Sequence, residues 1–131
     1  MQKKKQENIK ISIPVSIGEV IDKITILEIK SEKMSDEKLK NITKEAYAIK
    51  NTISKLDIDK DLVSKLKKVN LDLWEIEDQI RIKEKLKQFD KDFISLARSV
   101  YVKNDLRASL KREINIRYNS DLIEEKSYQS Y

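Results

Sequence analysis

The stretch DLVSKLKKVNLDLWEIEDQI (Asp61–Ile80) decides the fold, because its apolar residues recur alternately every four and every three positions. The residues in this seam are Leu62, Leu66, Val69, Leu73, Ile76 and Ile80. Such spacing puts them on one side of an α-helix and is the heptad pattern of coiled coils and helical bundles. The stretch therefore predicts a long helix that packs lengthwise against another helix.

The composition of the whole chain favours the same fold class. Of 131 residues, 39% are charged and 39% hydrophobic, and the chain has one glycine and one proline. A chain that lacks both strong helix breakers over most of its length favours long helices and disfavours a turn-rich β fold. We predict an all-α, antiparallel bundle of three to four long helices with coiled-coil-like packing, in one domain over residues 9–131 behind a disordered basic N-terminus over residues 1–8.

Capping signals predict where the first two helices begin. Ser16 and Glu19 form the S-x-x-E capping box, so the first helix begins at Ile17. A second helix restarts after a short connector, with Ser35 or Asp36 as its N-cap.

The other two helices are delimited in the same way. The polar break Asp57–Asp61 supplies the cap of the heptad helix, and Asp90 can cap a last helix over about Asp92–Tyr118. Asn119 suits the left-handed conformation that often ends a helix.

Outside the helices, Ile9, Ile11 and Ile13 alternate with other residues, as in a short β-strand. A single strand needs a partner for its backbone hydrogen-bonding groups. The internal partner we predict is an ordered C-terminal tail, Leu122–Tyr128.

Missing residue types exclude several kinds of chemistry. The chain has no cysteine and no histidine, so disulfides, a thiolate nucleophile, a Cys/His zinc site and a histidine-based triad are all excluded. One glycine cannot build a glycine-rich phosphate loop. We predict no cofactor and no metal site.

Charge and hydropathy bear on partners and location. The net charge is +5, but residues 1–60 hold 13 basic and 10 acidic residues and residues 61–131 hold 15 and 13, so the two signs are interspersed. Nucleic acid is therefore not expected as the main partner. Neither a membrane span nor a secretory leader is recognisable, and we expect a cytoplasmic protein.

Several stretches together resemble an uncharacterised bacterial family known as a domain of unknown function. The resemblance covers most of the chain and implies a free-standing bacterial protein, often associated with cell-surface glycan gene sets, with no activity or site residues to carry over. The stretches are IPVSIGEVIDKITILEIK, LWEIEDQIRIKEK, FISLARSVYVKNDLRASLKREIN and SDLIEEKSYQSY.

A cluster of polar residues lies on the face of the last helix that is otherwise apolar. Arg107 projects onto the centre of the helix's apolar face, and Asn104, Lys111 and Asn115 lie beside it. Unpaired charges in an interior are costly, so these groups need partners, a ligand or a wet cavity. Glu28, the carboxylate within the apolar stripe of the first helix, is the partner we predict for Arg107, and Glu77 and Glu84 beside the heptad seam are further candidates.

Trp74 faces away from the heptad seam, beside Glu77 and Arg81. A tryptophan on the back of a helix needs cover, from another helix or from a second subunit. One hypothesis is that Trp74, Glu77 and Arg81 form the interface of a homodimer, and the alternative is that another helix of the chain covers Trp74.

Three functions are compatible with these features. The first is a binding or interaction module that recognises a partner protein or a small anion around Arg107. The second is a small all-α enzyme acting on an anionic metabolite, by analogy with mutases or pyrophosphohydrolases. The third is a structural coiled-coil adaptor, in which the polar cluster is a buried network that fixes helix register.

Overall fold

The computed structural model describes residues 6–131, and this part of the chain folds into four helices. They are α1 (Ile17–Lys33), α2 (Asp36–Thr52), α3 (Lys60–Lys85) and α4 (Lys91–Arg117). The predicted all-α class and bundle-like packing are confirmed, whereas coiled-coil geometry stays a prediction.

Local capping places the helix ends close to their predicted positions. The Ser16 side chain accepts a hydrogen bond from the Glu19 amide, and Asp90 accepts one from the Phe93 amide. Asp59, within the predicted polar break, caps α3 through the amides of its first turn. After α4, Asn119 has a positive φ of 57°, as its predicted role requires.

Helix α1 is the central element of the fold. Among the described helices it packs against each of the other three, whereas α2 contacts α1 alone. The other extensive contact joins α3 and α4, which run antiparallel, since Arg117 bonds Asp59 at one end and Lys83 bonds Asp90 at the other. The core lies where α1 meets this hairpin, and its buried residues are Ile21, Ile58, Leu62, Leu66, Val69, Leu110 and Ile114.

Burial falls along the heptad seam as the hairpin extends away from α1. Leu62, Leu66 and Val69 are buried, but Leu73 and Ile80 are only half-buried. Since α1 has 17 residues and α3 has 26, the hairpin outreaches the helix that covers its base. None of the described helices is both long and apolar enough to cross a membrane.

The predicted N-terminal strand is not present in the described part of the chain. Ile9, Ile11 and Ile13 are 89%, 82% and 71% exposed, in a segment without regular secondary structure. The physical reason is the lack of a partner, because the described residues offer this segment no sheet edge. Of the predicted disordered N-terminus, residues 1–5 lie outside the described residues.

The C-terminal tail runs back along α4 instead of pairing with the N-terminal segment. Glu124 bonds Lys111, and the Tyr131 hydroxyl donates to Asp105 at 2.5 Å. The Tyr131 ring also packs edge-on against Tyr101, with 5.1 Å between ring centroids. The tail has no regular secondary structure, so the predicted strand pairing of Leu122–Tyr128 is wrong.

Candidate functional site: a buried polar cluster and the groove beside it

The polar cluster is centred on Asp22 of α1, whose side chain is 1% exposed. Arg107 of α4 binds this carboxylate with two nitrogens, Nε at 2.9 Å from Oδ1 and Nη2 at 2.5 Å from Oδ2. Asn70 of α3 donates to Asp22 Oδ1 at 2.9 Å and to the Thr25 hydroxyl at 2.8 Å. One buried carboxylate thus joins three helices through charge-assisted hydrogen bonds.

These contacts keep Asp22 ionised despite its burial. Burial by itself raises the pKa of the carboxyl, but the hydrogen bonds from Arg107 and Asn70 and the charges of Arg107 and Lys111 outweigh it. The pKa of Asp22 therefore lies below its ordinary value. The hydrogen bond to Asp22 in turn raises the pKa of Arg107.

Lys111, one turn further along α4, is buried with both of its partners in place. Its ammonium lies 2.7 Å from Glu19 Oε2 of α1 and 3.2 Å from Glu124 Oε2 of the tail. Burial lowers the pKa of Lys111, but the two carboxylates and Asp22 more than compensate, and the pKa is raised overall. Lys111 thus ties the tail and the start of α1 to α4.

Asn115 of α4 caps the N-terminus of α1. Its Oδ1 accepts a hydrogen bond from the Gly18 amide at 2.6 Å, and the Ser120 hydroxyl accepts one from the Ile17 amide at 3.0 Å. These amides belong to the first turn of α1, which has no partners within its own helix. Asn115 therefore has a structural task in this fold.

The close approach of α1 to α4 requires a glycine at position 18. A Cβ atom there would lie 2.5 Å from the Lys111 carbonyl oxygen and 3.0 Å from Asn115 Oδ1. The nearer atom is backbone, so it cannot move aside as a side chain can. The one glycine of the chain stands where two helix backbones come closest to each other.

The structure brings most of the predicted site residues together but assigns Arg107 a different carboxylate. Arg107, Lys111 and Asn115 face α1 as predicted, whereas Glu28 lies 3.3 Å from Lys67 of α3. The pairing of Glu28 with Arg107 is therefore corrected to Asp22 with Arg107. The sequence does carry a signal for Asp22, because the small or polar residues Gly18, Asp22 and Thr25 recur at four- and three-residue spacing on α1, and all three are buried.

An open groove of about 460 Å³ adjoins the cluster. Its lining includes Asn104 and Arg107 together with the predicted interface residues Trp74, Glu77 and Arg81. Trp74 is half-buried and lies beneath Lys33, whose ammonium is 5.8 Å from the ring centroid. The two sets of residues singled out in the sequence are therefore neighbours on one surface.

The groove opens onto the surface formed by the distal parts of α3 and α4, with Ile26 and Ile29 of α1 at its edge. Asn70 and Arg107 both bind Asp22, so the sides of α3 and α4 that carry them face α1. Those sides continue along the hairpin at steps of three or four residues, with Trp74 beneath Lys33 at the end of α1 and Val100 and Asn104 beside the C-terminal tail. We name this surface the distal face, and it consists of Trp74, Glu77, Asp78, Arg81 and Lys85 of α3 with Phe93, Ala97, Val100 and Asn104 of α4.

The polar side chains of the site are bonded to one another. Within residues 6–131, no group of three or more acidic side chains is placed to hold a metal ion. Over the same residues, every buried side-chain nitrogen or oxygen has a hydrogen-bond partner. The cluster is therefore satisfied by the chain itself.

The family model described as "Family of unknown function (DUF6165)" matches residues 9–131. The chain belongs to DUF6165. The predicted membership of an uncharacterised family is thereby confirmed, while a bacterial origin stays a prediction. No curated protein and no solved structure is detectably similar to the chain.

The match to DUF6165 covers the polar cluster, the distal face and the exposed segment that starts at Ile9. The family itself has no assigned function.

Proposed function

We propose that this protein is an interaction module that docks a partner protein on the distal face, with the polar cluster as its structural foundation. The observation that carries the proposal is the contrast between the two ends of the α1-facing surface. At the base the polar groups are paired within the chain, whereas farther along the hairpin the same surface carries exposed charged residues beside apolar residues that are only half-buried.

The charge balance of the cluster supports a structural role for it. Asp22, Glu19 and Glu124 supply three carboxylates, against three cations from Arg107, Lys111 and Lys126. An added anion would have to displace a carboxylate from a site whose charges already balance. Displacement from Asp22 would also leave a buried charge without its partner, which is strongly unfavourable.

The residues of the distal face suit a protein partner. Trp74, Phe93 and Val100 are half-buried apolar side chains on a surface whose margin is charged. Docking surfaces commonly combine an apolar centre containing aromatic anchors with a polar rim. A partner helix over this face would continue the cover that α1 supplies at the base.

A small anion is the second candidate ligand, and one observation favours it. The Arg107 side chain is 30% exposed, and it lines the groove together with Arg81 and Asn104. An anion there would contact guanidinium groups without breaking the bond to Asp22. Glu77 and Asp78 line the same groove and oppose this binding.

We further propose a cytoplasmic setting in a bacterium, because a chain without cysteine suits a reducing compartment and the family resemblance implies bacterial cell-surface glycan gene sets. The docking test is therefore made inside bacterial cells.

Site-specific photo-crosslinking in bacterial cells tests the proposal. A photoreactive residue is placed at Ala97 or Arg81 on the distal face, and at Lys44 on the exposed surface of α2 as the matched control. We expect an adduct of discrete mass from both distal positions and none from Lys44. If neither distal position gives an adduct, the interaction module is refuted.

Thermal unfolding with inorganic phosphate and citrate tests the alternative. A rise in melting temperature that disappears in Arg81→Met would favour the anion site. An unchanged melting temperature would contradict the anion site.

A further inference from the structure

The charges on the α3 part of the distal face are segregated by sign. Glu77 and Asp78 come first, and Arg81 and Lys85 follow within the next two turns. All four are exposed, and Glu77 and Arg81 form a loose ion pair at 3.6 Å within the helix. One segment of the surface is therefore acidic and the adjacent segment is basic.

A surface with this pattern is complementary to itself when two copies meet antiparallel. A two-fold axis near Gln79 and Ile80 would place Asp78 opposite Arg81 of the partner subunit, and Trp74 opposite Lys85 of the partner subunit. A parallel pairing in register would instead oppose like charges. Isologous pairing about a two-fold axis is the commonest way in which a protein forms a dimer.

We propose that the distal face binds the distal face of a second copy of this chain, with the two α3 helices antiparallel. This inference rests on the proposed docking function and names its partner. The paired hairpins form a four-helix arrangement in which each copy supplies the helices that α1 is too short to provide.

The neighbouring surface of α4 supplies the apolar part of the contact. Phe93, Ala97 and Val100 recur at spacings of four and three on the α1-facing side, in line with Arg107. Phe93 and Val100 are half-buried and Ala97 is exposed, so cover by a second copy removes apolar surface from water. The small side chain at position 97 permits close approach of the partner.

The proposed contact between the two α3 helices extends over about three turns of helix. The span from Trp74 to Lys85 is 12 residues, or about 18 Å of helix. Aromatic and aliphatic groups give a contact of this size its affinity, and the charges determine its orientation. The charges are therefore the part to exchange in a test.

A charge-exchange experiment tests the orientation directly. One variant carries Glu77→Lys and Asp78→Lys, and the other carries Arg81→Glu and Lys85→Glu. The mass of each protein is followed by light scattering or sedimentation over a dilution series. We expect the parent to dimerise and each variant alone to need at least about tenfold higher concentration, because the two-fold axis repeats every repulsion.

Mixing the two variants is the decisive step. In a mixed antiparallel dimer the all-basic face meets the all-acidic face, so dimerisation at the parental concentration is expected to return. Failure of the mixture to recover overturns the antiparallel pairing, and so does undiminished dimerisation of either variant alone. Circular dichroism establishes that each variant is folded, and the single exchanges Asp78→Lys and Arg81→Glu repeat the test with a smaller perturbation.

Matched controls carry the same charge changes on α2. Glu37→Lys with Glu45→Lys, and Lys40→Glu with Lys44→Glu, alter exposed residues away from the distal face, and the first pair also removes the 3.7 Å ion pair between Glu45 and Lys23. These pairs are expected to dimerise as the parent does, and a loss equal to that of the distal variants would overturn the assignment of the surface.

A monomeric parent would overturn the second-copy partner but not the docking function itself. In that case the photo-crosslinked adduct would have the mass of a different protein, whereas failure of both proposals would give no adduct.

Discussion

Asp22 is the residue on which the stability of the cluster depends. A carboxylate 1% exposed to solvent must recover its lost hydration from the groups that bind it. Arg107 provides a two-point contact and Asn70 a third hydrogen bond. Removal of Arg107 would leave a buried negative charge with the amide as its remaining direct donor.

We therefore predict that Arg107→Met lowers the free energy of unfolding by about 3 kcal/mol. Arg98→Met, on the exposed side of the same helix, should change it by less than about 0.5 kcal/mol. Chemical denaturation without added ligand measures both. A neutral or stabilising Arg107→Met would mean that the arginine is kept for binding.

The double variant Asp22→Leu/Arg107→Met measures how far the stability contributions of Asp22 and Arg107 depend on each other. Since replacing both partners of a buried ion pair by apolar residues leaves no unpaired charge, the double variant should be less destabilised than the sum of the single variants. Losses that simply add would argue against a coupled pair.

The pH dependence of stability tests the same pair. Because the pKa of Asp22 is lowered in the folded state, its contribution is present above the unfolded value of about 3.9 and is lost as the pH falls through the folded pKa. The difference in unfolding free energy between the parent and Arg107→Met should shrink between about pH 5 and about pH 2. A constant difference over this range would contradict the assignment.

Sequence reasoning at this scale located the arginine but not its partner. A helical wheel places Arg107 toward the core and so requires a carboxylate somewhere. It cannot tell which of two stripes on α1 faces α4, since Glu28 and Asp22 belong to different stripes of the same helix. That choice depends on how the helices pack around one another, which no local pattern contains.

At the scale of elements, the docking of α1 on α4 depends on Gly18. Within a helix, glycine to alanine normally gains about 1 kcal/mol because alanine is the better helix former. Here the added methyl group would collide with the Lys111 carbonyl, so we predict that Gly18→Ala instead costs about 1–3 kcal/mol. Ser109→Ala, at an exposed position of α4, is the control. If Gly18→Ala were more stable than the parent, α1 and α4 would have to lie farther apart than the structure places them.

The range over which an interaction acts determines which elements can be predicted from the sequence. Helix starts are determined by caps that act within three residues, such as Ser16 on Glu19 and Asp90 on Phe93, and these were found from the sequence. The strand at Ile9–Ile13 was wrong because a strand depends on a partner elsewhere, and the tail that was expected to pair with it binds α4.

At the scale of the whole molecule, α1 packs against the other three helices but is too short to cover the full length of α3 and α4. Helix α1 covers the base of the α3–α4 hairpin and leaves the distal half with the half-buried residues Trp74, Phe93 and Val100. The heptad spacing predicted a long seam but could not show where its cover ends, because that depends on the relative lengths and positions of three helices.

Hydrogen exchange followed by mass spectrometry, at high protein concentration and again after strong dilution, tests the central claim most directly. If the distal face is the docking surface for a second copy, amides in residues 74–85 and 93–104 should exchange faster after dilution, while α2 exchanges at an unchanged rate. Exchange that is independent of concentration over the hairpin, or a change confined to α2, would contradict the account.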